Sequence, residues 1–89
     1  KVNTTLDRVV KKGVNNIMTS RRWLIKLMKQ AAERKNVTFE SIRQGGSHEI
    51  FQLDGLMIPI PRHNEIDNNL ANIICKEAEA KLGKGWYQQ

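Results

Sequence analysis

The sequence predicts an α+β sandwich, two helices packed on one face of a three-stranded antiparallel sheet in the order α-β-β-β-α, with a further helical segment in front. Two stretches of helical apolar spacing flank a central region, and that region alternates apolar with polar residues. Glycine-containing dipeptides cut the centre into three strands. With 89 residues the chain is one small domain, too short for a doubly wound sheet or a (β/α)8 barrel.

The first helical spacing runs from Thr5 to Ile17. Leu6, Val9, Val10, Gly13, Val14 and Ile17 share one face. Thr4 or Thr5 is the cap, and Asp7 sits near the positive end of the dipole. Gly13 and the β-branched residues lower its helical propensity. Met18 is a candidate natural start, which makes residues 1–17 an N-terminal extension and residues 18–89 the single domain.

The second helix is capped by Thr19 or Ser20. Trp23, Leu24, Leu27, Met28 and Ala31 form its apolar stripe, read here as core. Arg21, Arg22, Lys26, Lys29, Glu33 and Arg34 populate the rest, and Lys35-Asn36 ends it. The first strand then spans Val37 to Gln44, with Phe39 and Ile42. Gly45-Gly46 is a turn, because glycine tolerates positive φ. The second strand runs from His48 to Leu53. Asp54-Gly55 is the strongest hairpin signal in the chain. In the third strand Leu56, Ile58 and Ile60 alternate with Met57, Pro59 and Pro61, and the prolines place it at an edge.

The last helix is expected from Asn64 or Glu65. Ile66, Leu70, Ile73, Ile74, Ala78 and Leu82 line one face, and Gly83 is the C-cap. The tail Trp86-Tyr87 either packs on the domain or stays free to bind a partner. The α-β-β-β-α order is that of double-stranded-RNA-binding domains.

Charge narrows the function. Fifteen Lys and Arg stand against nine Asp and Glu, a net charge of +6. Basic side chains on a small domain are the usual means of binding the phosphates of nucleic acid. A single cysteine, Cys75, forms no intramolecular disulfide, and its place in a helical apolar pattern reads as a buried, inert thiol. The two histidines have no second cysteine with which to make a zinc site, so no metal is expected. No apolar run approaches a membrane span or a signal peptide, so a cytoplasmic protein with no membrane partner is expected.

The chemistry concentrates in Arg43-Gln44-Gly45-Gly46-Ser47-His48. Glycines let a phosphate approach the backbone, and an imidazole both gives and takes a proton near neutral pH. RNA cleavage without a metal needs a base for the ribose 2′-OH, an acid for the 5′-oxygen and cations for the phosphate. In a meander the start of the second strand meets the end of the third, so His48 approaches Arg62 and His63. His63 is either a second acid/base or, the simpler reading, a loop or capping residue. Arg43 and Arg62 are candidate phosphate contacts. Gln44 and Ser47 are candidates to position ribose or phosphate, with Gly46 beside them. Lys26 and Lys29, with Arg21 and Arg22, either attract RNA diffusely or form a solvated helix face.

Read together, the run from Phe39 to Phe51, the Asp54-Gly55 turn, the Ile58-Pro59-Ile60-Pro61-Arg62-His63 end and the following helix resemble the HicA toxin family. The resemblance covers about Ser20 to Leu82. It implies a small mRNA interferase with a double-stranded-RNA-binding-like fold, in which His48 matches the catalytic histidine and Gly46 and Ser47 match the residues before it. It also implies mRNA as substrate, no cofactor, and a neighbouring HicB-like antitoxin that covers the active site. Residues 1–17, the Arg34–Thr38 linker and the Trp86-Tyr87 tail depart from the family pattern. Two other classes fit the residues alone: a non-catalytic RNA-binding module of the same fold, and a protein-interaction domain whose basic face meets an acidic partner.

Overall fold

A computed structural model describes residues 18–87. The helix expected over Thr5–Ile17 lies outside the described residues. The elements are β1 (Met18–Ser20), α1 (Arg21–Lys35), β2 (Phe39–Gly45), β3 (His48–Leu53), β4 (Leu56–Pro61), β5 (Glu65–Asp67) and α2 (Asn68–Leu82). The antiparallel order β2-β3-β4 makes the main sheet, and both helices cover one of its faces. This is the predicted α-β-β-β-α sandwich, with the proline-bearing β4 at an edge.

Local chemistry explains the ends of α1. The Ser20 hydroxyl accepts from the Trp23 N–H at 3.1 Å and so satisfies one orphan donor of the first turn. At the other end Asn36 sits at φ 61°, the left-handed region that asparagine tolerates better than most residues. The Asn36 and Val37 N–H groups then donate back to the Glu33 and Ala32 carbonyls, closing a Schellman motif. Val37 is therefore spent on finishing the helix, and β2 begins at Phe39 rather than at Val37.

The two hairpins differ as their turn residues require. Asp54 and Gly55 both have positive φ, the pattern of a type I′ turn. Between β2 and β3 only Gly46 does, at φ +58°, with Ser47 second, as in a type II′ turn. A side chain at Gly46 would meet open space, so conformation and not room selects glycine there.

The core forms between the sheet and the helices. Leu53, Ile58 and Ile60 are fully buried, Phe51 is nearly so, and the Phe39 and Phe51 rings stack with centroids 5.0 Å apart. Leu24, Leu27, Met28, Ala31 and Ala32 of α1 close over them, so the α1 stripe is core, with Trp23 half-buried at its margin.

The C-terminal region departs from expectation in two ways. The last helix begins at Asn68, because Glu65–Asp67 pair with Met18–Ser20 as a two-stranded antiparallel ribbon. Three-residue strands carry no periodicity, so only the distant partner reveals them. The ribbon ties the helix starts together. Ser20 caps α1 and Asp67 caps α2, the Arg21 N–H donates to the Asn64 carbonyl at 2.9 Å, and the buried Thr19 hydroxyl donates to Asn68. Second, Leu70 and Ile73 are exposed, while Ala71, Ile74, Cys75, Ala78 and Leu82 face inward. Small residues at 71, 75 and 78 let α2 approach the sheet closely, and the larger Leu70 and Ile73 fall on its outer flank.

The tail packs. Trp86 and Tyr87 are buried, and the Trp86 indole N–H donates to the Cys75 carbonyl at 2.8 Å. Cys75 is fully buried, and burial, reinforced by the Glu79 carboxylate, pushes its thiol up to about 12, which keeps it protonated and unreactive. Trp86→Ala is expected to cost about 3–5 kcal/mol, the usual range for deleting a buried tryptophan. Urea unfolding measures it, and a change near zero would show that the tail is dispensable.

Candidate active site

The site lies at one end of the main sheet, where the β2–β3 turn meets the end of β4. The register pairs His48 with Gly45 on one side and with Pro61 on the other. The Arg62 N–H donates to the Ser47 carbonyl at 3.0 Å, extending the β3–β4 pairing into the turn. His48, Ser47, Gly46, Arg43, Gln44 and Arg62 are thus gathered at one exposed rim. His63 is exposed in the bend that follows, two residues beyond the partner of His48.

A β-bulge decides which face each of these side chains takes. Ser41 pairs with Phe51, but Arg43 pairs with Ile50, so Ile42 is an extra residue in β2. Without it, Arg43 would stand opposite Glu49. With it, Gln44 stands opposite Glu49 on the helix-facing side, and Arg43 moves to the open face, diagonal to His48. The bulge therefore gives the imidazole a guanidinium on its own face.

On the open face the Ser47 hydroxyl and His48 Nδ1 are 3.1 Å apart. The pair serves both tautomers. When Nδ1–H donates to the hydroxyl, Nε2 carries a lone pair and accepts a proton. When the hydroxyl donates to Nδ1, Nε2–H is a donor. Either way Nε2 is the nitrogen left for a substrate.

On the other face a chain of hydrogen bonds holds the rim together. The Arg62 guanidinium donates to the Gln44 carbonyl oxygen at 3.1 Å, and the Gln44 amide donates to the Glu49 carboxylate at 3.1 Å. Arg21 donates to the other Glu49 oxygen at 2.5 Å, and through Nε to the Pro61 carbonyl at 2.7 Å. The Arg21–Glu49 pair is mostly sheltered, with side-chain exposures of 20% and 13%. The exposed Lys81–Asp54 pair, at 3.7 Å, is of the kind that contributes little. A hydrogen bond from Ser41 and then one from Arg21 hold the Glu49 carboxyl below its ordinary value, against the opposing effect of burial.

These bonds alter two expectations. Arg21, read as a helix-surface cation, is engaged by Glu49 and Pro61. The Gln44 amide, read as a ribose or phosphate ligand, bonds Glu49 and Arg62. Glu49 itself did not stand out in the sequence. A signal was present, since α1 opens with two arginines and no acidic residue in its first turn, against its own dipole. Such an arrangement calls for a tertiary carboxylate.

Arg22, Lys26 and Lys29 are exposed along one flank of α1. At the rise of an α-helix, Lys26 and Lys29 lie about 7 and 12 Å along the axis from Arg21. They stand apart from the rim around His48. An open cleft of about 640 Å³, lined by Ser20, Arg21, Arg22, Ile25, Asn64 and Glu65, lies at the start of that flank. Among the described residues no three His, Cys, Asp or Glu side chains are grouped to hold a metal ion. Also among them, no helix is long and apolar enough to cross a membrane.

A family model described as the HicA toxin of bacterial toxin-antitoxin systems matches residues 22–80, more than half of the chain. The chain belongs to the HicA toxin family. It is thus a toxin of a toxin–antitoxin system. The matched span takes in both hairpins, the rim and nearly all of both helices of this HicA chain. No significant match is found among curated proteins or among solved structures.

The depressed Glu49 carboxyl gives a pH signature. A carboxyl whose folded value lies below its unfolded value contributes stability above the unfolded value, and that contribution is lost as pH falls through the folded one. Its ordinary value is 4.5, so the loss belongs to the acid limb below about that pH. Glu49→Gln is expected to flatten this part of the curve. Urea midpoints measured from pH 6 downward test it, and identical pH dependence in both proteins would refute it.

Proposed function

We propose that this HicA chain is a metal-independent endoribonuclease that cleaves mRNA, with His48 as the general acid/base. The observation that carries the reading is the Ser47–His48 pair on an exposed turn, with Arg43 on the same face and Arg62 at the same rim. His48 Nε2 takes the proton of a ribose 2′-OH. The 2′-oxygen attacks the adjacent phosphorus, and the bond from phosphorus to the 5′-oxygen breaks. That oxygen gains a proton from an acid at the rim, either the imidazolium or His63. The products are a 2′,3′-cyclic phosphate and a 5′-hydroxyl end.

Arg43 and Arg62 supply charge for the phosphate as it becomes more anionic. Arg62 uses one donor on Gln44 and has others to offer, since a guanidinium carries five N–H groups. Gly46 has no side chain to obstruct backbone approach. Lys26 and Lys29 attract the RNA at longer range. The antitoxin partner is a HicB-like protein seated over the same rim.

The test is incubation of the purified protein with labelled RNA in EDTA, beside His48→Ala. General acid–base catalysis supplies about 10²–10⁴-fold, so the variant is expected to lose activity by that factor while binding RNA with a similar salt dependence. Salt-sensitive binding with no cleavage by either protein would favour a non-catalytic RNA-binding module. The absence of binding would favour a protein-interaction domain.

A further inference from the structure

We propose that Glu49 is a positioning residue for the RNA-cleaving rim, acting through Gln44 to set Arg62 and the turn that carries His48. This rests on the ribonuclease reading for its kinetic consequence, though not for its structural one.

The argument starts from donors and acceptors. Arg62 has only donors to give, and an ionised Glu49 has only acceptors. Gln44 lies between them and carries one of each. Its carbonyl oxygen must therefore point to Arg62 and its amide nitrogen to Glu49, as they do. The two charged ends fix the direction of the amide. Arg21 fixes Glu49 in turn, and because its Nε also holds the Pro61 carbonyl, the same guanidinium bridges β3 and the end of β4. Four side chains thus join the start of α1, both strands of the first hairpin and the residue that follows β4. The Gly45-Gly46 turn buries no side chain, since Gly46 has none and Ser47 and His48 are exposed, so it is held through its backbone, by the Gly45–His48 pairing and by the Arg62 N–H on the Ser47 carbonyl.

Glu49 is poorly suited to binding RNA itself. It is a carboxylate, it repels phosphate, and alternation puts it on the face opposite His48. Its placement beside three basic or amide side chains is explained by what it orients. Replacing it with glutamine removes the acceptor-only end. One oxygen still serves Arg21, but an N–H₂ then meets the Gln44 N–H₂. Turning Gln44 over relieves that clash and creates another, between its N–H₂ and Arg62.

This gives a kinetic pattern that a general loss of structure does not. Glu49→Gln adds one unit of positive charge, so RNA binding is expected to hold or tighten while the chemical step slows. The experiment compares the full chain with Glu49→Gln in EDTA-containing cleavage assays, recording kcat and KM separately. Alongside it, amide hydrogen exchange is followed at Arg62, whose N–H donates to Ser47, and at Leu53 in the core. The expected result is a fall in kcat of tenfold or more with KM unchanged or lower. Exchange at Arg62 that speeds up by a clearly larger factor than at Leu53, whose core amide reports only the global loss of stability, accompanies it.

An unchanged kcat overturns the proposal. So does a rise in KM that accounts for the whole loss, or acceleration by the same factor at both amides. A wild-type chain that cleaves no RNA refutes the ribonuclease reading alone. The Arg62 exchange then decides whether Glu49 organises the rim: acceleration greater at Arg62 than at Leu53 upholds that role, and equal or no acceleration overturns it.

Discussion

A three-stranded sheet with one apolar face is unstable in water until that face is covered, and this requirement organises the molecule. Phe51 and Leu53 of β3 and Ile58 and Ile60 of β4 project to the same side, and both helices exist in their observed places because they bury it. β3 is the central strand, so its inward residues fix the register of both neighbours. A one-residue slip would turn Phe51 and Leu53 outward and bring His48 to the helix side. The burial that stabilises the domain is therefore also what presents the imidazole to solvent.

The rim and the core are coupled at the start of α1. The antiparallel β1–β5 ribbon leads into α1 at one end and into α2 at the other, and Ser20 begins α1 at a point where the next residue, Arg21, reaches Glu49 and Pro61. An arginine in the first turn opposes the helix dipole, typically by a few tenths to about 1 kcal/mol. A sheltered, charge-assisted bond to Glu49, with a second to a carbonyl, is worth more than that. The local preference gives way to the tertiary contact. The same contact joins a helix chosen for burial to the rim that carries His48.

The site is built with few parts. Ser47 engages Nδ1 of the His48 imidazole, and the bulge at Ile42 sets Arg43 on the same face. Acidic and amide groups on the opposite face hold Arg62 without taking all its donors. Positive charge faces outward, and the negative charge that balances Arg21 is kept behind the sheet. That separation lets a basic rim coexist with a folded, hydrogen-bonded support.

Much of this was legible in the sequence. The α1 stripe, the two turn dipeptides, the edge position of the proline-bearing strand and the meeting of His48 with the end of β4 all follow from short-range patterns. Period, turn chemistry and loop length are local properties that neighbouring residues determine. The Arg43–His48 run and its flanks also carry the family resemblance that residues 22–80 bear out. What only the tertiary structure decided concerns partners distant in the chain. Glu65–Asp67 became a strand because Met18–Ser20 lay beside them, and Leu70 and Ile73 turned outward because smaller residues let α2 approach the sheet. Whether Arg43 or Gln44 faced Glu49 depended on one extra residue in β2, and Arg21 served Glu49 across 28 positions of sequence. Side chains that meet only after folding leave no periodic trace, because the chain between them is free to vary.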